Sequence, residues 1–326
     1  MSGLARWLPS HGQLWYGDPW YRAAWLMLPQ AVALGIIGAV WLWQPQGAGG
    51  VPWAKPNPEA PADNRDTSPP LAPPKDLLGP CRSGTTQSRI AACTLALKSG
   101  ELKGNAIAEG HYRRAAALAA ADNYRDAIDD YNIAISIVPN TALYHNDRGV
   151  AWRVLKDYDR AMQDFDKAVA IDANYALGYA NRGRILYLQK RYLEGLEQAN
   201  IAITKNDKLV WPYVVRAGIY EALSNWRLEF DDANKILQME PDSVFGHEFR
   251  GRAYYESQQY AAAIADYGAA IALDPQGNYH YDMRGRSYFL SGQYDKAMDD
   301  YSAALRIDPT DTYAIAWMNE LKAKKK

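Results

Sequence analysis

The chain has 326 residues, and its 48% hydrophobic content is ordinary for a protein that folds around a core. It carries 36 Lys and Arg against 37 Asp and Glu, which leaves a formal net charge of -1. This balance gives no large basic surface, so it argues against a nucleic-acid partner.

The first predicted element is residues 23–43, an uncharged apolar segment in which Gln30 is the one strongly polar side chain. As a helix it would be roughly 31 Å long, which matches the ~30 Å core of a bilayer. Trp and Tyr residues flank it on both sides, as they do at membrane interfaces. A buried core helix and a cleaved signal peptide are the alternatives, but the apolar run is long for both. We expect an uncleaved signal anchor.

The charges beside this segment predict its orientation. Arg6 and Arg22 precede it, with Asp18 against them, and the first charge after it is Lys55. This excess predicts that residues 1–22 are cytoplasmic and that the rest of the chain is translocated. We expect a bacterial inner membrane, with the C-terminal part in the periplasm. Small residues spaced four apart within the segment are compatible with weak self-association.

The next element is a linker, residues 44–80, in which ten of 37 residues are proline. Such a chain cannot bury enough apolar surface to fold, and proline biases it towards extended polyproline II. Two interpretations stay open here. The linker is either a spacer that holds the next domain away from the membrane or a solvated tether of no specific length.

From residue 108 onward the sequence repeats every 34 residues. Pro139, Pro241, Pro275 and Pro309 end similar motifs and are 34 or 102 residues apart. Six copies follow one another without insertion, at residues 108–141, 142–175, 176–209, 210–243, 244–277 and 278–311. The eighth position of every copy is Ala or Gly. Fixed periods of this length predict stacked helical units.

This pattern resembles the tetratricopeptide repeat family, whose helix-turn-helix unit has small residues at positions 8 and 20 and an aromatic at position 24. Position 24 is aromatic in four copies and Ala in repeats three and four, and position 20 of repeat four is Glu229. The resemblance implies an all-α, right-handed superhelical solenoid. Residues 312–326 begin a seventh copy, which predicts a C-terminal capping helix and a basic tail.

The resemblance also implies a scaffold that binds partner proteins or peptides in a concave groove lined by positions 2, 5, 9 and 12 of each first helix. The predicted groove residues are Arg184, Tyr187, Trp211, Val214, Phe245, Glu248, Arg252, Tyr255, Tyr279, Asp282, Arg286 and Phe289. Arginine interleaved with aromatic residues is typical of interface hot spots. Recognition of a glycan or another envelope polymer is the alternative function, and large rings that only pack between repeats are the structural alternative.

Arginine occupies position 7 of all six copies, and Asp occupies position 23 of all except repeat three, which has Gln198. A basic ladder for an acidic ligand is one interpretation. We expect ion pairs between the two helices of each repeat instead, because paired charges tolerate partial burial. Arg182, which lies opposite Gln198, should then be the arginine most available to another partner.

No nucleophile, phosphate-loop or metalloprotease motif occurs in the sequence, and four of the five histidines read as helix residues one or more repeats apart. We therefore expect no catalytic activity, no metal and no cofactor.

Both cysteines, Cys81 and Cys93, lie in residues 81–107, which we expect to form an N-terminal capping region. Cys93 occupies the place where the second helix of the first full repeat carries Tyr131. In an oxidising compartment the expected product is a disulfide between Cys81 and Cys93. Two free thiols are the main alternative.

Overall fold

The computed structural model describes residues 76–324, and fifteen helices and no strand make up that range. The predicted anchor, residues 23–43, lies outside the described residues, together with residues 1–22 and most of the linker. Between residues 76 and 324 no helix is long and apolar enough to span a bilayer.

The helices follow one another in pairs along the chain. Two precede the repeats, α1 (Gly79–Arg82) and α2 (Thr86–Lys98). The first and second helices of the six repeats are α3 (Asn105–Ala120) and α4 (Tyr124–Ile137), α5 (Ala142–Val154) and α6 (Tyr158–Ile171), α7 (Ala176–Leu188) and α8 (Tyr192–Lys205), α9 (Val210–Ala222) and α10 (Trp226–Met239), α11 (Val244–Glu256) and α12 (Tyr260–Leu273), and α13 (Asn278–Leu290) and α14 (Tyr294–Ile307). The last helix is α15 (Thr312–Lys324).

The two helices of a repeat pack closely because a small residue on the first faces a ring on the second. A Cβ atom placed on Gly149 would lie 2.8 Å from Cε1 of Phe165, and one on Gly285 would lie 2.8 Å from Cε1 of Tyr301. Both rings are fully buried. The helices therefore approach to a distance that a larger residue at position 8 would prevent.

The solenoid curves because its two layers of helices pack differently. In the described residues, first helices of successive repeats contact one another, as α9 does α11 and α11 does α13. Second helices pack against their own first helix and the next one, and have no comparable contact with each other. The first helices therefore lie on the inner, concave side.

The turn between the two helices of a repeat always places position 15 in the left-handed region. The residues there are Asp122, Lys156, Lys190, Ser224, Gln258 and Gly292, with φ between 56° and 80°. Only one of them is glycine, so five repeats hold a side chain in a conformation that costs on the order of 1 kcal/mol. The sequence pattern did not reveal this strain, because the residues share no chemical type.

The predicted ion pairs between positions 7 and 23 are confirmed in five repeats. In repeat two, for example, Nε and Nη2 of Arg148 donate to the Asp164 carboxylate at 2.9 and 2.6 Å. The same guanidinium donates to Asn132 of the preceding repeat at 2.7 Å. Arg216 and Arg250 bond to Asn200 and Asn234 in the same way, so in three repeats the arginine joins its own second helix to the repeat before it.

Histidine at position 4 adds a further bond to this network in three repeats. Nδ1 of His247 lies 2.9 Å from the Asp266 carboxylate, and its Nε2 lies 3.2 Å from the carbonyl oxygen of Pro241 in the preceding repeat. Both partners are acceptors, so only a ring protonated on both nitrogens makes the two bonds together. His145 has the equivalent pair of neighbours in repeat two.

Repeat three departs from this arrangement. We expected Arg182 to be available to another partner, but its guanidinium lies 3.1 Å from the Asp166 carboxylate of the preceding repeat. Gln198 buries its side-chain oxygen without a hydrogen-bond partner. The two backbones lie close together here, because a Cβ on Gly183 would be 3.0 Å from the Gly195 carbonyl oxygen. An amide at position 23 thus replaces the carboxylate that accepts from the position 7 arginine in the other repeats.

The N-terminal cap packs against the first repeat. Cys81 and Cys93 are fully buried beside Leu78, and the two thiols form a hydrogen bond. The structure has both as free cysteines, so it does not support the predicted disulfide, which stays a prediction. We placed the linker up to residue 80, but Leu78 is buried and Gly79 begins α1, because an apolar pair precedes the cysteine.

At the other end, α15 covers repeat six. Ala314 and Leu321 are fully buried against it, whereas Asn319, the position that is small in complete repeats, is exposed. A polar residue there suits a helix that no further repeat covers.

Candidate functional site

We define the inner row as the side chains of the first helices that face the concave side, at positions 2, 5, 6, 9 and 12. The twelve predicted groove residues divide into two equal groups along it. Six are buried: Val214, Glu248, Arg252, Tyr255, Asp282 and Phe289. Six are partly exposed: Arg184, Tyr187, Trp211, Phe245, Tyr279 and Arg286. The solenoid is wound tightly enough that half of the predicted lining contacts the neighbouring repeats.

The N-terminal half of the inner row is a chain of polar contacts across repeats. The hydroxyl of Tyr112 and the amide of Asn146 donate to Asp147 at 2.9 and 3.0 Å. Asn181 donates to the Asn146 side chain at 2.8 Å, and the indole nitrogen of Trp211 donates to Asn181 at 2.9 Å. Burial raises the pKa of Asp147 to about 6. These bonds fix the relative position of the first four repeats.

The C-terminal half centres on Arg252. Its guanidinium forms an ion pair with Glu221 of the preceding repeat and donates to the hydroxyl of Tyr279 in the following repeat at 3.0 Å. It also lies 5.7 Å from the ring centre of Trp226. One buried arginine therefore joins three successive repeats.

Behind Arg252 lies a cluster with more acid than base. Glu229 on α10 is fully buried, and neither of its carboxyl oxygens has a hydrogen-bond partner. Its carboxyl group interacts electrostatically with Glu221, Glu248 and Arg252. Burial raises the pKa of Glu229 to about 9 and that of Glu221 to about 7. Glu229 is therefore protonated at neutral pH.

The last part of the inner row stacks cations on rings. The guanidinium of Arg286 lies 5.0 Å from the ring centre of Tyr255 and 5.1 Å from that of Trp317. Phe289 meets Trp317 edge to face, at 5.0 Å between ring centres. The capping helix thereby completes the inner row of repeat six.

The structure brings most of the predicted groove residues into one continuous row, but not all line an opening. Val214 lies in the core between repeats four and five, whereas the partly exposed Phe245 packs against the edge of that core, beside Phe249. Sequence reasoning missed the roles of Asn181 and Glu229. Glu229 was recognised as a departure from the repeat pattern, and that departure was the available signal for the buried cluster.

Among residues 76–324, no group of three or more His, Cys, Asp or Glu side chains is arranged to hold a metal ion. The position-4 histidines bond to the position-23 carboxylates instead, for example His111 to Asp130 at 2.7 Å.

Comparison with known protein families finds a match in two parts of the repeat array. Residues 106–176 and 250–312 match the tetratricopeptide repeat family. No curated protein sequence matches the chain.

Several solved structures share the fold. PilF of Pseudomonas aeruginosa is 18% identical, with a TM-score of 0.59, over 67% of this chain and 100% of PilF. PilW, a type IV pilus biogenesis factor, is 14% identical, with a TM-score of 0.58, over 65% of this chain and 98% of PilW. The Cut9–Hcn1 complex of the APC/C is 12% identical, with a TM-score of 0.65, over 72% of this chain and 48% of the matched chain. Identities this low establish the fold alone.

Proposed function

Because this chain carries tetratricopeptide repeats, we propose that it is a scaffold whose inner row binds segments of partner proteins. One observation carries the proposal. The predicted groove residues that remain partly exposed are four aromatic side chains and two arginines, in repeats three to six. These residue types dominate binding energy at protein interfaces.

The same row favours a polypeptide over a glycan. A sugar stacks on an open aromatic face, but the guanidinium of Arg184 lies 4.8 Å from the ring centre of Tyr187. Arg286 is placed over Tyr255 in the same way. Rings covered by guanidinium groups keep their edges and hydroxyls available for hydrogen bonds, which suits a peptide backbone.

A photo-cross-linking amino acid at Tyr187 tests this function. Tyr187 is partly exposed on the inner row, whereas Tyr255 in the same row is buried and would be a poor position for the probe. The matched control is Leu193, which is 74% exposed on α8, a second helix. We expect the Tyr187 probe, and not the Leu193 probe, to capture a protein in cells. Capture through Leu193 alone would contradict binding on the inner row.

We further propose that residues 23–43 anchor the scaffold in a bacterial inner membrane, with the repeats in the periplasm. The support is the apolar, uncharged character of that segment and the arginines before it. We expect protease added to spheroplasts to degrade the repeats while a cytoplasmic marker survives. Protection of the repeats until the membrane is broken would place them in the cytoplasm.

The cysteines give an independent test of the same proposal. Burial raises the pKa of Cys93 to about 12, so its thiol stays protonated and reacts slowly in the folded protein. Denaturation exposes both thiols, so this protection is removed. If a periplasmic oxidant joins Cys81 to Cys93, protein denatured directly from cells should react with an alkylating agent only after reduction. Alkylation of both thiols without reduction would contradict both the disulfide and the location.

A further inference from the structure

Position 9 of the inner row is arginine in repeats three, five and six: Arg184, Arg252 and Arg286. Repeat four breaks this series with Gly218. A Cβ atom placed on Gly218 would meet only one atom within 4 Å, Cζ of Phe249 at 3.8 Å. The glycine therefore leaves space at the one place in the series that lacks a cation.

The groups that interact with Glu221, the nearest carboxyl to Gly218 along α9, include an excess of carboxylates. Glu221 lies one helical turn beyond Gly218, on the same face of α9. The side chains that interact with Glu221 are Arg252, Glu248, Arg184 and Glu256, and Glu229 interacts with it in turn. The set holds four carboxyl groups against two guanidinium groups, with the imidazole Nε2 of His280 3.4 Å from Glu248. Buried carboxylates normally have a cation for each, so this set is short of positive charge.

Three side-chain atoms of Glu229 and Arg252 in the cluster lack a hydrogen-bond partner. Both carboxyl oxygens of the fully buried Glu229 lack a hydrogen-bond donor. Nε of Arg252 also has no partner, so Arg252 does not use its remaining donor on Glu229. A fully buried carboxyl group without a donor is rare in folded proteins, since each such group costs free energy.

We propose that the space beside Gly218 receives a lysine or arginine side chain of a bound partner polypeptide, an assignment that rests on the function proposed above. The entering cation takes the place that arginine holds in repeats three, five and six. It donates to Glu229 and Glu221 and balances the charge of the cluster.

Proton exchange follows from this arrangement. Without a partner, the raised pKa values keep protons on Glu229 and on part of the Glu221 population at neutral pH. A cation that enters the cluster favours the ionised carboxylates, so binding releases protons. Affinity for a basic side chain therefore increases as the pH rises from 6 to 8.

Selection of random peptides displayed on phage, with the full chain as bait, tests the inference. We expect selected peptides to share a lysine or arginine, and replacement of that residue by methionine to weaken binding about tenfold or more. Glu229→Gln and Gly218→Arg should weaken binding of the basic peptide by a similar factor. Glu229→Gln removes a carboxylate that accepts from the entering cation, and Gly218→Arg fills the space with the chain's own guanidinium. Glu194→Gln, at an exposed carboxylate paired with Arg191 on α8, is the matched control and should leave binding unchanged.

The outcomes separate this inference from the proposed function. Circular dichroism checks that both variants remain helical. If Glu229→Gln does not fold, the result for Gly218→Arg decides the question. Peptides that bind the wild type and both variants equally, with no preference for a basic residue, overturn the basic-side-chain site and leave the scaffold function standing. Recovery of no peptide at all contradicts the scaffold function, and this inference with it.

Discussion

Replacement of Glu229 by alanine should reduce the pH dependence of the chain's stability. Burial raises the pKa of this carboxyl to about 9 in the folded protein, against an ordinary value of 4.5. The folded chain thus binds this proton more tightly than the unfolded chain. Its contribution to stability is complete below the unfolded value and is lost as the pH rises towards the folded value.

The magnitude follows from the size of this shift. Between its two pKa values, each pH unit changes the free energy of unfolding by about 1.4 kcal/mol. The wild type should therefore lose about 2 to 3 kcal/mol between pH 5 and pH 7 from this group alone. Glu221 titrates in the same direction, but it is present in both proteins and largely cancels in the difference.

Urea unfolding at pH 5, 6, 7 and 8, followed by circular dichroism, measures this dependence. The fall in midpoint with pH should be shallower in Glu229→Ala than in the wild type, with the remaining slope due to Glu221, and the cavity left by alanine shifts all the midpoints together. Glu194→Gln, which alters an exposed carboxylate, should keep the slope of the wild type. Equal slopes in Glu229→Ala and the wild type would refute a protonated, buried Glu229.

Three further substitutions test the repeat architecture by thermal melting. Gln198→Asp should restore a charge-assisted pair with Arg182 and stabilise the chain by about 1 kcal/mol, and no gain over Gln198→Asn would contradict it. Gly285→Ala should destabilise by about 1 to 3 kcal/mol, because its Cβ would lie 2.8 Å from the Tyr301 ring, and an unchanged midpoint would show that the ring moves freely. Lys190→Gly should stabilise by about 0.5 to 1 kcal/mol by relieving a φ of 61°, and an equal gain from Lys190→Ala would refute the role of φ.

The fold followed from the sequence because its period is strict. Each first helix from α5 to α13 begins at the first residue of a 34-residue copy, and the pairing of Arg148 with Asp164 follows from positions 7 and 23 alone. The left-handed turn at Lys190 could not be predicted, since the backbone there is imposed by the packing of two helices on a residue with no preference for it.

The site was less predictable than the fold. The sequence predicted that Arg252 lies in the groove. It did not predict the ion pair with Glu221 or the hydrogen bond to Tyr279, because both depend on the rotation of one repeat against the next. The burial of Glu229 depends on the same rotation, because α9 and α11 close over it. Periodicity within one repeat carries no information about this angle.

The unusual repeat three has a mechanical consequence. Each repeat of a solenoid contacts only its neighbours, so a load applied at one end passes through every repeat in series. In repeat three the guanidinium of Arg182 lies against Asp166 of repeat two, and position 23 of its own second helix is Gln198, which offers it no carboxylate. A partner that pulls on repeats four to six would therefore pass its load to the N-terminal cap through a repeat that lacks the position 7 to 23 ion pair of its neighbours.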